Sequence, residues 1–276
     1  MIKLVRSFTC FGAVTVLIAA CGTEPECSGE WCGTLIVAQG ADAETLFPPT
    51  IQGSNAITDL IFLRLADLGE GMNTVGDEGF VPQLASSWSR LDSLRVRFSL
   101  DQRASWHDGE PVTARDVVFT FAVYSDTAIS SPMASNIDKI TEVIEVDELT
   151  VEFRFSTVYP EQLFDAVYHM RILPSHHLDS IVMADLPGHP ASRDPVGSGP
   201  YRLARWVPDQ FLELHADTSF FLGRPGMRRV IWQVTPDKEA ALAQVVTEHV
   251  EMPTDELMET LNRKLESLGY EVWLLG

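Results

Sequence analysis

Positive charge is scarce in this chain: 20 Lys and Arg stand against 39 Asp and Glu, a formal net charge of −19 at pH 7. That balance argues against nucleic-acid binding, which needs basic patches to neutralise phosphates. It favours solubility and could draw cationic ligands over long range, although a solvated surface alone has the same make-up. Long apolar runs are also missing. The run from Phe8 to Ile18 falls short of the ~20 residues a membrane-spanning helix needs. No His-Glu-x-x-His is present, and Gly197-Ser198-Gly199 misses the hydrolase elbow because Val196 and Pro200 flank Ser198 at two residues. Repeats and low-complexity segments are absent. With 45% hydrophobic and 21% charged residues over 276 positions, the chain has the make-up of a globular protein of about two domains with a sizeable core.

Cysteine occurs four times, at Cys10, Cys21, Cys27 and Cys32. Residues 1–20 have the parts of a secretory signal: Lys3 and Arg6, the short apolar run, then small residues. Ile18-Ala19-Ala20-Cys21 resembles a bacterial lipobox, in which the cysteine takes a diacylglycerol and becomes the mature N-terminus; the alternative is an ordinary signal with a chance cysteine. By resemblance to Gram-negative lipoproteins, Gly22 in place of Asp removes the inner-membrane retention signal. Residues 21–33 read as a flexible tether. Export would let Cys27 and Cys32 close a small disulfide loop there, and no nearby Cys or His completes a metal site.

Thr34 to Ala38 is an expected buried strand, followed by an irregular segment from Gly40 to Asn55 and a helical apolar pattern from Ile57 to Leu68. Leu94, Val96, Phe98 and Leu100 alternate with Arg95, Arg97 and Ser99, the period of a half-buried strand. His107-Asp108-Gly109-Glu110-Pro111 is turn chemistry leading to a helix capped by Thr113, with Asp116 in its first turn and Val117, Val118, Phe121 and Tyr124 on one face. A hairpin is expected across Asp147-Glu148, with Leu149, Val151, Phe153 and Phe155 on one face. Strands are expected at Tyr201 to Val207, Phe211 to His215 and Val230 to Val234, then a helix opening at Thr235-Pro236. A second helix is expected over Asp255 to Leu268 with Leu257, Leu261, Leu265 and Leu268 as its stripe, and a strand at Tyr270 to Leu275.

Trp106-x-Asp108-Gly109-x-Pro111-x-Thr113-Ala114-x-Asp116-Val117-x-Phe119 resembles the signature turn and helix of the family 5 extracellular solute-binding proteins. Asp194-Pro195-Val196-Gly197-Ser198-Gly199-Pro200-Tyr201 is similar to a second landmark of that family, and Val81 to Trp88 to its Pro-x-Leu-Ala-x-x-Trp turn. The resemblance implies an α/β, periplasmic-binding-protein-like (type II, cluster C) lobe carrying an inserted α+β subdomain. The lobe would be made of residues 34–53 and 194–276, with 54–193 as the insertion and the second ligand-gripping lobe missing. It implies a monomeric binding protein and no enzyme, without cofactor or metal, exported to the periplasm or cell surface and held by lipid at Cys21. Its partners would be a peptide or small-molecule ligand and an ABC permease with its ATPase. Thr50, Gln52 and Ser54 are implied ligand contacts on the loop where Phe47 stands in the family's Leu-Asp-Pro landmark, and Met133 is another on the separate loop from Ser130 to Asn136. The glycines at 197 and 199 are expected to let the backbone turn.

Three rival readings remain open. The same fold could bind nickel, a sugar or an opine. A zinc-dependent envelope hydrolase could use His176, His177, Asp179, Asp185 and His189, although adjacent histidines point in different directions. The chain could also be a truncated, non-transporting lipoprotein.

Overall fold

The computed structural model describes residues 33–52 and 55–235. Strand β1 (Thr34–Gln39) leads through a single 3-10 turn at Pro48–Thr50 to helix α1 (Ala56–Ile61). A short ribbon of β2 (Ala66–Leu68) and β3 (Phe80–Pro82) follows, then β4 (Ala85–Asp92), β5 (Arg95–Leu100) and helix α2 (Ala114–Ser125). Next come β6 (Ile140–Asp147), β7 (Thr150–Phe155), α3 (Gln162–Val167) and α4 (Ser175–Leu178), before β8 (Tyr201–Val207), β9 (Phe211–Ala216) and β10 (Arg229–Val234).

Two four-stranded sheets organise these elements. One is fully antiparallel, in the order β4-β5-β7-β6. Its pattern is the one expected from alternation except at Leu94, which falls in the turn before β5 and is exposed: Val96, Phe98 and Leu100 are buried while Ser99 is exposed, and Val151, Phe153 and Phe155 meet them from β7. The rings of Phe98 and Phe153 meet edge-on at 5.2 Å. The β6–β7 turn sits one residue later than expected, at Glu148-Leu149, because Asp147 pairs with Thr150 and its carboxylate accepts from the Leu149 N–H at 3.0 Å.

The other sheet has the order β1-β10-β9-β8, with β1 parallel to β10 and the rest antiparallel. Its inner face presents Val37, Leu212, Leu214, Val230 and Trp232 to Ile57 and Ile61 of α1 and to Leu46, Phe47, Leu173 and Leu178. Helix α2 serves both cores. Val117 and Tyr124 belong to the first and Val123 to the second, so its buried side is wider than the expected stripe, and Val118 and Phe121 are only half-buried.

The expected helix from Ile57 to Leu68 stops at Ile61. Asn55 caps its start, accepting from the N–H groups of Ile57 and Thr58 at 3.0 and 3.1 Å. At the other end Phe62 is extended (φ −120, ψ 141), and the Ile61 carbonyl accepts from the Gly199 N–H at 2.8 Å. The apolar residues that follow fit either period; the Gly199 contact and the β2–β3 pairing select the strand. Truncating a fully buried ring tests the antiparallel core: Phe98→Ala should lower unfolding free energy by about 3–5 kcal/mol with an unchanged denaturant m-value in urea titration.

Candidate functional site

The two sequence landmarks at 106–116 and 194–201 are joined in space by His107. Its backbone N–H donates to the Gly197 carbonyl at 2.8 Å. Its ring Nδ1 accepts from the Gly197 N–H at 3.2 Å, and Nε2 reaches the Gly199 carbonyl at 3.0 Å. Those contacts require the neutral Nε2–H tautomer. Burial accordingly pushes the His107 pKa down, with the Arg202 charge adding to the shift against the hydrogen bond to Gly199.

The glycines have a different role from the one expected. Neither supplies a left-handed turn. A Cβ on Gly197 would lie 2.0 Å from the Ile61 carbonyl oxygen, and one on Gly199 would lie 2.4 Å from that of Leu60. The segment is clasped between the end of α1 and His107, and only glycine lets the backbones approach so closely. Ser198 is 1% exposed and its hydroxyl accepts from the Leu63 N–H at 3.4 Å, a packing role.

Asp116 holds the other side of this joint. It is 2% exposed. Oδ2 accepts from the Thr113 N–H at 2.8 Å, the Thr113 hydroxyl at 3.2 Å and Trp106 Nε1 at 3.4 Å. Oδ1 accepts from the Ser175 N–H and hydroxyl at 2.8 and 2.7 Å. Trp106 is itself buried, and Gly109 makes the intervening turn at φ +97. His176 Nε2 meets Asp108 at 2.9 Å. Burial pushes the Asp108 carboxyl up, but the bonds from His176 and the Glu110 N–H outweigh it and hold its pKa below the usual range.

A second buried ionic group lies beside α1. Asp59 bridges Arg64 Nη2 at 2.8 Å and Arg171 Nε at 2.7 Å. Arg64 Nε donates to the Tyr168 carbonyl at 2.7 Å while its guanidinium lies 4.6 Å from that ring's centroid. Desolvation pulls the Arg171 pKa down; the charge and hydrogen bond of Asp59 outweigh this and raise it. The loop after β1 is tied down by Asp42, which accepts from Trp206 Nε1 at 3.0 Å and from the Asp209 N–H at 3.0 Å. Arg193 covers the Trp206 ring at 4.0 Å.

Three of the four expected ligand contacts lie among the described residues. The Thr50 hydroxyl donates to the Phe47 carbonyl at 3.0 Å, closing its own 3-10 turn. Gln52 is exposed. Met133 is half-buried against the antiparallel-sheet core. No hydrogen bond joins any of these three to another. Ser54, Cys21, Cys27 and Cys32 lie outside the described residues, as do the expected helices and strand beyond Thr235. Among the described residues, no three His, Cys, Asp or Glu gather where a metal ion could be held. His176 turns to Asp108, Asp179 to Arg115, and His189 Nδ1 accepts from the Ala191 N–H. The clasp by His107, the Asp59 bridge and the Asp42 tie were not evident from sequence; a histidine inside a turn landmark was the one available signal.

The model of the bacterial extracellular solute-binding proteins, family 5 Middle, matches residues 79–264. The oligopeptide-binding protein AppA of Bacillus subtilis is 29% identical over 218 residues, covering 77% of this chain and 39% of the relative. The structure of that AppA in complex with a nonapeptide superposes with a TM-score of 0.71 at 27% identity, over 78% of this chain and 42% of the other. NikZ from Campylobacter jejuni in complex with Ni(L-His) gives a TM-score of 0.68 at 25% identity, over 77% and 41%. The chain thus spans between about a third and two fifths of the length of the relatives it matches. No helix among the described residues is long and apolar enough to cross a membrane.

The clasp has a pH signature. Because the folded pKa of His107 lies below its unfolded value, its contribution is complete above about pH 6.5 and is lost as pH falls below that, where the unfolded chain protonates first. Melting temperature should drop more between pH 7.5 and 5 in the parent than in His107→Gln, and His107→Ala should cost about 1–3 kcal/mol at pH 7.5, read by urea unfolding.

Proposed function

The chain belongs to the bacterial extracellular solute-binding proteins, family 5, and on that premise we propose that it is the lipid-anchored substrate-binding component of an ABC importer that captures peptides and delivers them to a permease. The observation that carries the peptide reading is the likeness to AppA in sequence and, with a TM-score of 0.71, in a structure solved with a nonapeptide. Chemically the reading is modest: a receptor binds, encloses and releases, and needs no nucleophile or proton donor.

The parallel pairing of β1 with β10 supports reading residues 34–53 and 194–276 as one lobe. Residues 54–193 are then its insertion, held to it by the His107 clasp. Ligand would lie where this lobe faces another, with closure burying it. Thr50, Gln52, Ser54 and Met133 are the proposed contacts. Of these Gln52 is the exposed one among the described residues and the one best placed to meet an incoming ligand. Lipid attachment at Cys21 would keep the receptor beside its permease, monomeric at the membrane surface in the periplasm or outside the cell. A pairing of Cys27 with Cys32 would stiffen the tether.

The similarity to NikZ with its nickel–histidine ligand favours a metal chelate as the second reading. Both are tested at once by melting the mature chain with a peptide library and with nickel plus histidine. A ligand at 100 times its Kd adds about 2.7 kcal/mol, a rise of several degrees. Peptides should produce it; a rise with nickel–histidine alone would replace the peptide reading, and no rise with any ligand would leave a non-transporting lipoprotein. Anchoring is read separately: labelled palmitate should enter the parent in cells and be lost in Cys21→Ala, which should then partition to the soluble fraction.

A further inference from the structure

The β1-β10-β9-β8 sheet is polarised along its strands. At one end the register sets Thr34, Arg229, His215 and Arg202 side by side, and the β9–β10 loop adds Arg224 and Arg228. Four arginines there meet two carboxylates: Glu213 holds Arg229 at 2.9 Å and His215 at 2.7 Å, and Asp217 holds Arg202 at 2.9 Å. The surplus is positive in a chain whose formal charge is −19. At the other end the sign reverses. Asp42 accepts from Trp206 Nε1 and the Asp209 N–H, Glu44 is exposed two residues on, and Arg193 over the Trp206 ring is their cation.

The cationic end is also shaped to meet a surface. Phe220 and Phe221 pack inward on the antiparallel-sheet core, and the loop is pinned where it returns, because the Tyr201 hydroxyl donates to the Met227 carbonyl at 3.0 Å. Between these fixed points Gly223 turns at φ +120 and leaves Leu222 44% exposed, two residues before exposed Arg224. An apolar tip flanked by guanidiniums suits the boundary of a bilayer, where the leucine enters the headgroup layer and the arginines meet phosphate.

We propose that this end of the sheet is the contact surface for a bilayer rich in anionic phospholipid headgroups. Two observations select that occupant. The first is where the chain enters: the Arg229 N–H donates to the Gly33 carbonyl at 3.3 Å, so the segment running back to Cys21 leaves from beside the arginines. The inference rests here on the lipid-anchored reading of Cys21. About a dozen residues of flexible chain span only about 20 Å and hold this end at an effective concentration in the millimolar range, so a weak contact is populated. The second is charge. Salt screens beyond about 8–10 Å, so the bilayer senses the surplus of arginine at this end and not the acidic remainder. The orientation bears on capture: the proposed ligand loop after β1 begins at the opposite end, about 20 Å away across six-residue strands, and faces into solution.

The test uses the mature chain carrying Cys21→Ala, which has no lipid, so that palmitate labelling reads the anchor and vesicle binding reads this surface. Co-sedimentation is measured with phosphatidylcholine vesicles, with and without phosphatidylglycerol, at about 0.1 M salt. Binding should require phosphatidylglycerol and be lost at about 1 M salt. Each arginine near an anionic surface contributes about fivefold, so Arg224→Gln with Arg228→Gln should weaken binding about 25-fold, whereas Arg115→Gln, a charge removed elsewhere, should leave it unchanged. Equal binding to phosphatidylcholine alone overturns the proposal, and so does no binding to either vesicle, full binding by the paired variant, or the same loss from Arg115→Gln. Should the paired variant fail to fold by circular dichroism, Arg224→Gln alone decides: a loss of about fivefold supports the proposal, and none overturns it.

Discussion

A carboxylate withdrawn from water must be met by enough donors to replace its hydration, or it will not stay charged and buried. Asp116 meets that condition with five donors from three separate stretches of chain: Trp106, Thr113 and Ser175. Satisfying one side chain therefore fixes three pieces of backbone. The turn at 106–111, the start of α2 and the start of α4 can sit in only one arrangement if all five bonds are to form. Trp, Thr and Asp are one hydrogen-bonded unit, and Gly109 supplies the turn that brings Trp106 back over the helix.

From that unit the rest of the described structure follows in two directions. Residue 107, held between Trp106 and Asp108, clasps Gly197 and Gly199, and Gly199 in turn stops α1 by donating its N–H to the Ile61 carbonyl. Helix α2, fixed at its first turn, divides the two cores and contributes to each. The antiparallel sheet and the β1-containing sheet are thereby set against each other by a chain of polar contacts that runs through the buried interior. A single landmark would have stabilised one turn; the two together define how the antiparallel sheet meets the β1-containing sheet.

What the sequence made legible was local and periodic. The alternation in β5, the cap at Thr113 and the strands at 201–207 and 211–216 depend on neighbours within a few residues, so they could be read directly. The length of α1 could not, because Phe62 to Ala66 suits either period and Gly199, more than a hundred residues away, decides it. The same distance hid the reason for the glycines at 197 and 199. Buried charge was equally hard to see: Glu152 lies 4% exposed on an outer strand face because Arg97 and Arg154 converge on it, and Arg64 and Arg171 are buried because both find Asp59. The family was legible because its landmarks encode these joints. Ligand contacts depend on the surface that meets a loop and not on the loop's own chemistry alone.

The claim that Asp116 and His107 form one joint can be measured directly by a double-mutant cycle of Asp116→Asn and His107→Gln, using urea unfolding at pH 7.5. The account predicts a coupling energy of about 0.5–3 kcal/mol, as for residues in one hydrogen-bond network. Costs that simply add, to within about 0.3 kcal/mol, would contradict it and make the two landmarks independent turns that happen to lie side by side.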